Sequence, residues 1–329
     1  MSKLMRQLCK TTKYAVTKLF SRYNQRLLRI IWIGLLCITL YLIFLRNSET
    51  VVSEQPMPYR FVLMKQQLCS ASVKPTVLIV IRSTPNQRIK RDAIRTTWGN
   101  PCTYDTQRVE LFFLVGKHTG LKSASVDLDL QLEFQRFRDI VQYDSADSYR
   151  LLPNKQQAAF HLINKQCSNF PFVFMTDEDF LVNISNLVDH ILQLHINDYI
   201  SFVGGHLYGN SVPIRDNTSK YYLSLESYPN RTLPPFVAGG ATLMAISLTG
   251  KILSEMSKLK TKLHLEDVNL GLVLKKLGVM PRNIRTICIL EEQCNSIPLH
   301  QRIAVHGYNT STKLREDWQK LNVTVDCSK

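Results

Sequence analysis

Paired C-x-x-C spacing is missing from this 329-residue chain, and so are internal repeats and low-complexity tracts. The first absence removes a zinc ribbon or finger. The others remove a solenoid and a compositionally biased linker. Acid is missing from residues 1–29, and no small-X-small cleavage site follows Leu45, which weakens a cleaved signal peptide. Dense His and Asp clustering of the kind that holds two metals is also missing, which disfavours a two-metal phosphohydrolase of the secretory lumen.

What is present begins with charge. Lys and Arg number 41 against 26 Asp and Glu, a net +15. Lys3, Arg6, Lys10, Lys13, Lys18, Arg22, Arg26 and Arg29 supply much of it. Setting those eight and Arg46 aside leaves 32 basic against 26 acidic side chains, so residues 47–329 are only mildly basic. No nucleic-acid partner is expected from such a body. Ile30 to Leu45 is uncharged and nearly all apolar between Arg29 and Arg46. With Leu27 and Leu28 it reaches about 18 residues, near the lower limit for a spanning helix. The Lys and Arg bias keeps the N-terminus cytosolic and sends the remainder across. The expectation is a basic tail over 1–29, a type II signal-anchor over 30–46, a polar stem over 47–70 and a lumenal domain over 71–329. So short a span suits the thinner membranes of the early secretory pathway.

Cys69, Cys102, Cys167, Cys288, Cys294 and Cys327 lie beyond the span, an even six in a compartment that permits disulfides. Fifteen pairings stay open. Asn-X-Ser/Thr sequons occur at Asn183, Asn217, Asn230, Asn309 and Asn322. Asn183 follows Asp179 by four residues, so it is expected unmodified or at the rim; the other four are glycan candidates.

Strand and helix signals alternate through the first two-thirds. Apolar runs predict strands at 76–82, 108–115, 139–143, 172–174 and 199–203. Helical patterns fall at 87–98, 126–137, 151–165, 184–194, 248–259 and 267–277. The order predicts an α/β sandwich with a largely parallel sheet, and Tyr221 to Gly240 reads as a meandering segment that shapes a pocket. The chain is organised around Phe172-Val-Phe-Met-Thr-Asp-Glu-Asp179. Unpaired carboxylates are costly inside a sheet, so Asp177, Glu178 and Asp179 belong at the strand's carboxyl end, where α/β sheets bind ligands. Two carboxylates spaced Asp-X-Asp suit Mn²⁺ or Mg²⁺ holding a diphosphate; taken alone, such a pair more often marks a solvated acidic turn. Arg91 and Arg95 share a helical face, where they would clamp a diphosphate or sit in water.

The pieces form an ordered set: Arg91-Asp-Ala-Ile-Arg-Thr-Thr-Trp-Gly99, Phe113-Leu-Val-Gly116, Asp139-Ile-Val, Asp147-Ser-Tyr149 with Lys155, the acidic triplet, Pro234-Pro-Phe-Val-Ala-Gly-Gly240, and Leu265-Glu-Asp-Val268 with Gly271. Spread over roughly 69–308, they resemble the β1,3-glycosyltransferase family of Golgi type II membrane enzymes. The resemblance implies a GT-A-type nucleotide-sugar-binding domain, a UDP-sugar donor and Mn²⁺, with Mg²⁺ as the alternative. It implies Asp177, Asp179 and His306 as the metal set and Asp267 as general base. Arg91, Arg95, Lys155, Glu178, Gly239, Gly240 and Glu266 would be substrate-binding, the glycines by letting backbone approach a sugar. Inversion at the sugar C1 needs one carboxylate to take the acceptor proton and a cation to neutralise the leaving diphosphate. The chain departs from the commoner family pattern at Glu178, in Ala241-Thr-Leu-Met244 and at Asn269.

The leading expectation is an inverting, metal-dependent β1,3-hexosyltransferase acting on a glycan of a lipid or protein at the Golgi membrane. Galactose is the first choice of sugar, because Thr176-Asp-X-Asp resembles the galactosyltransferase version. N-acetylglucosamine and N-acetylgalactosamine are the alternatives. A catalytically silent chaperone or sugar-binding protein on the same fold is the different class. Homo-oligomerisation stays open.

Overall fold

The computed structural model describes residues 32–39, 59–69, 75–106, 108–323, 325 and 327. The chain divides into two compact units, Met1–Pro56 and Met57–Lys329. In the first, residues 32–39 are helical. The tail expected over 1–29, the rest of the anchor expected over 30–46 and the first half of the stem lie outside the described residues. Among the described residues no helix is long and apolar enough to cross a membrane.

In the second unit, four parallel strands form the centre: β2 (Val77–Arg82), β3 (Val109–Lys117), β4 (Ile140–Ala146) and β5 (Phe172–Asp177), in the order β4-β3-β2-β5. Helices α1 (Arg88–Arg95), α2 (Ser123–Phe137) and α3 (Leu152–Gln166) connect them. Strand β2 is buried along its whole length because successive side chains feed two cores. Val77, Ile79 and Ile81 pack with Ile94, Trp98, Leu130 and Phe134 on one face. Leu78 and Val80 pack with Ala159, Phe160 and Ile163 of α3 on the other. The expected α/β sandwich is the observed one.

Beyond β5 the chain adds β6 (Phe180–Val182), α4 (Ile184–Leu192), α5 (Asp198–Ser201), β7 (Val203–Tyr208) and β8 (Phe236–Ala245). It continues through α6 (Thr249–Ser257), α7 (Glu266–Leu277), β9 (Arg282–Asn283), β10 (Ile287–Cys288), β11 (Ala304–His306) and α8 (Ser311–Lys320). Strand β8 runs antiparallel to β5, with β7 and β9 beyond it, while β10, β11 and β6 form a small second sheet. Helix α7 carries its own start and stop signals: Glu266 and Asp267 in the first turn, Lys275 and Lys276 in the last, and Gly278 in a left-handed cap.

Three segments differ from expectation. The stem does not extend to residue 70. Phe61–Leu63 forms β1, paired antiparallel with β4, and Leu68 and Cys69 are buried. At 199–203 a strand was expected, but Asp198–Ser201 is a helical turn. Asp198 accepts from the His195 amide and pairs with Arg282 at 2.9 and 2.5 Å, and extended pairing begins only at Val203. The segment expected to meander ends as β8, a ten-residue strand. Its glycines hide the strand signal, yet it is buried between two partners.

The six cysteines pair as Cys69–Cys167, Cys102–Cys327 and Cys288–Cys294. The first ties the end of the β1 segment to the end of α3.

Candidate active site

Strand register assembles an acidic cluster at the carboxyl end of the parallel sheet. In the β2–β5 ladder Arg82 lies beside Asp177. Strand β8 pairs with β5 as far as Ala241 opposite Thr176, so Gly239 and Gly240 run past the acidic turn. Just after that turn, β6 pairs with β11 and sets His306 opposite Phe180. Trp98 anchors β6 from below by donating Nε1–H to the Phe180 carbonyl at 3.0 Å. Asp179 and His306, 127 positions apart in sequence, thereby face each other.

Their side chains meet: His306 Nε2 is 3.3 Å from Asp179 Oδ2. His306 donates Nδ1–H to the Ile289 carbonyl at 3.2 Å, which leaves Nε2 turned toward the carboxylate. The other carboxylate oxygen, Asp179 Oδ1, is buried without a hydrogen-bond partner. An orphaned buried carboxylate oxygen beside an imidazole nitrogen is a donor set that suits a divalent cation such as Mn²⁺. The third expected ligand is engaged elsewhere: Asp177 Oδ1 lies 2.7 Å from Arg82 Nε. Burial pushes the Asp177 carboxyl up to about 6 against the pull of Arg82. Among the described residues no three His, Cys, Asp or Glu side chains form a ready metal cage. Asp179 and His306 are the assembled part.

Asp267 sits in the first turn of α7, where the macrodipole favours an acid. Asp267 Oδ1 accepts from the Val268 amide at 2.8 Å. Burial, reinforced by the neighbouring Glu266 carboxylate, pushes its carboxyl up to about 7, although Arg82 and two backbone amides pull the other way. Glu266 itself turns inward, accepting from Arg82 Nη1 at 2.8 Å. A Cβ on Gly239 would press on the Glu266 carboxylate, which would have to shift from its place on Arg82. On Gly240 a Cβ would come within 2.8 Å of the Phe180 ring. On the side where a Cβ would project, the space at these glycines is occupied by Glu266 and Phe180.

The three basic residues expected to bind substrate do not face this cluster. Arg91 is fully buried, and all five of its N–H donors are met. Glu133 takes two of them at 2.8 and 2.7 Å, and Ser83 Oγ with the Thr84 and Pro85 carbonyls takes the rest. Arg95 pairs with both Asp139 oxygens at 2.8 Å, and with Asp92 and Glu133. Its guanidinium lies 4.1 Å from the Phe137 ring centroid. Lys155 gives its three protons to Ser83 O and both oxygens of Asp147, at 2.7–2.8 Å. With no donor left over, Arg91 and Lys155 cannot clamp a diphosphate. They hold the β2–α1 loop instead. Glu178 likewise points inward, accepting from the Thr84 amide at 3.2 Å, and burial pushes its carboxyl up to about 7.

Arg82 is the residue that sequence reasoning passed over, although the signal was visible. A cation closes the otherwise apolar run Thr76-Val-Leu-Ile-Val-Ile-Arg82, and a buried strand tolerates one only where it meets carboxylates. Asn269, noted as a departure, has a structural use. It exchanges two hydrogen bonds with the Leu263 backbone, at 3.0 and 2.7 Å, and so fixes the approach to α7. Asn183 caps α4 by accepting from the Asn186 amide, while Asn217, Asn230, Asn309 and Asn322 are exposed.

A family model described as Galactosyltransferase matches residues 89–285. Lactosylceramide 1,3-N-acetyl-beta-D-glucosaminyltransferase A of Xenopus laevis is 32% identical over 228 residues, 68% of this chain and 60% of that protein. The UDP-GalNAc:beta-1,3-N-acetylgalactosaminyltransferase 1 of Rattus norvegicus is 29% identical over 272 residues, 82% of this chain and 81% of that protein. The chain thus spans less than two-thirds of the length of the first of these relatives.

Proposed function

The chain belongs to the galactosyltransferase family, and on that premise we propose that it is an inverting, metal-dependent β1,3-glycosyltransferase using a UDP-sugar and a glycan acceptor. The observation that carries this reading is the pairing of Asp179, with its orphaned oxygen, and His306, in an acidic cluster that Arg82 ties through Asp177 and Glu266 to the neighbouring Asp267. A GT-A-type arrangement fits the parallel β4-β3-β2-β5 core with an acidic turn at its carboxyl edge. The names of both relatives favour an N-acetylhexosamine over the galactose first expected from Thr176-Asp-X-Asp. The first relative's name favours a glycolipid acceptor. Disulfides and exposed sequons support a lumenal domain, and we place it at the Golgi membrane in type II orientation.

In this mechanism Asp179 and His306 would hold the metal, with Asp177 alongside. When bound, the metal supplies positive charge against the leaving diphosphate. Asp267 takes the proton of the acceptor hydroxyl as that oxygen bonds to the sugar C1, while the C1–O bond to the diphosphate breaks. The Val268 amide orients Oδ1. A carboxyl near 7 is well matched to this task at neutral pH, because it balances basicity against the fraction ionised.

The test is incubation of the full chain in detergent with UDP-N-acetylglucosamine, UDP-N-acetylgalactosamine or UDP-galactose, with Mn²⁺ or EDTA, over short glycan and glycolipid acceptors. Mn²⁺-dependent transfer from one donor, with a β1,3 product linkage, is the expected result. Folded protein that binds neither UDP nor Mn²⁺ would favour the silent chaperone instead.

A further inference from the structure

The side chain of Arg82 is 2% exposed, yet it joins three elements at the acidic cluster. Its guanidinium meets Asp177 at the end of β5 (2.7 Å), Glu266 at the start of α7 (2.8 Å) and the Gly239 carbonyl on β8 (2.9 Å). The planar fork donates to Glu266 and the Gly239 carbonyl in fixed directions while its Nε edge lies against the Asp177 carboxylate, an arrangement an ammonium cannot reproduce. We propose that Arg82 is a positioning residue: it locks the Glu266–Asp267 pair to the Asp-X-Asp turn and sets the charge balance under which Asp267 accepts a proton. This rests on Asp267 being the base.

The groups around Asp267 make the claim directional. Glu266 faces it from its own helix, Arg82 from β2, Tyr149 from the segment before α3, and Asp177 from β5 beyond Arg82. Lys155 and Glu178 lie near Arg82 in turn, but the Lys155 ammonium is bound to Asp147. Arg82 therefore favours the ionised base, and Glu266 opposes it. Removing each should move the titration of Asp267 in opposite directions, which a general loss of structure would not do.

The experiment uses the full chain in detergent with the preferred donor, measuring kcat and KM from pH 5 to 9. Alongside, the ¹³C-carboxyl resonance of Asp267 is followed, assigned by its loss in Asp267→Asn, so the shifts are read without turnover. Arg82→Gln should lower kcat about 100-fold, change donor KM little, and move the Asp267 titration to higher pH. Glu266→Gln should move it to lower pH. Arg82→Lys, which keeps the charge without the fork, should restore the titration but only part of the rate. Wild-type kcat in Arg82→Gln, or titrations that stand still or move together, would overturn the proposal. Should Arg82→Gln fail to fold, Arg82→Lys decides, and a wild-type rate in that variant would overturn the proposal. Transfer surviving in Asp267→Asn would refute the base itself, whereas a dead Asp267→Asn beside an unaffected Arg82→Gln refutes only the role of Arg82.

Discussion

Two charged regions lie a few residues apart at the carboxyl end of the same parallel sheet, and they behave oppositely. In the first, Arg91, Arg95 and Lys155 meet Glu133, Asp139 and Asp147, and nearly every donor has a protein acceptor. In the second, Asp177, Asp179, Glu266 and Asp267 share Arg82 and His306, one carboxylate oxygen has no partner, and two carboxyls are pushed well above their ordinary range. A satisfied lattice has no capacity left for a ligand, so it can only hold shape. An acidic cluster with an unpartnered oxygen keeps that capacity. Motif residues of equal prominence in sequence thus divide into framework and chemistry according to whether their hydrogen bonds close on the protein.

The largest expected effect comes from removing the least satisfied group. Asp179→Ala should cut Mn²⁺-dependent transfer about 1,000-fold, with the thermal midpoint held, as followed by donor turnover and calorimetry. Wild-type turnover would move the metal elsewhere. Asp267→Asn should lower transfer by about 100- to 10,000-fold while sparing UDP-sugar binding, measured by isothermal titration.

The same variant carries a stability signature with a definite sign. Asp267 titrates near 7 in the folded chain against 3.8 ordinarily, so the folded state binds the extra proton between those values. Stability from this group is therefore lost as pH rises from about 4 to 7. Asp267→Asn should be more stable than the parent at pH 8 by on the order of a few kcal/mol, and no more stable at pH 3, as read from denaturant midpoints. A gain of equal size at both pH values would break the link to this carboxyl.

In the lattice the expectation reverses. Arg91→Met removes the bidentate partner of a buried glutamate and should cost about 3–5 kcal/mol of stability, yet leave donor affinity of the folded fraction unchanged. Weakened UDP binding with full stability would return Arg91 to the substrate site. The smallest effect concerns the surface. Asn217→Gln should remove one glycan by gel mobility of the full chain made in a glycosylating cell, while Asn183→Gln should remove none, because the Asn183 side chain caps α4.

How much of this was legible in advance follows the range of each interaction. The strands expected at 76–82, 108–115 and 172–174 announced themselves through continuous apolar runs, and α7 through its helical pattern at 267–277, because those signals act within a few residues. Strand β8 was hidden because glycine weakens the strand signal, although pairing on both sides makes it central. The helical turn at Asp198–Ser201 was missed because its determinant, Arg282, lies 84 positions away.

By itself, then, the sequence determined the alternating α/β order, the position of the acidic turn at a strand end, and the identities of Asp177, Asp179, Asp267 and His306 as the residues worth testing. Only the tertiary structure decided that Arg91, Arg95 and Lys155 are framework, that Arg82 sits between the two acidic motifs, and which cysteines pair. The reason is physical. Hydrophobic pattern and end signals are local, whereas a charge takes its role from the partners that strand register and packing bring to it from elsewhere in the chain.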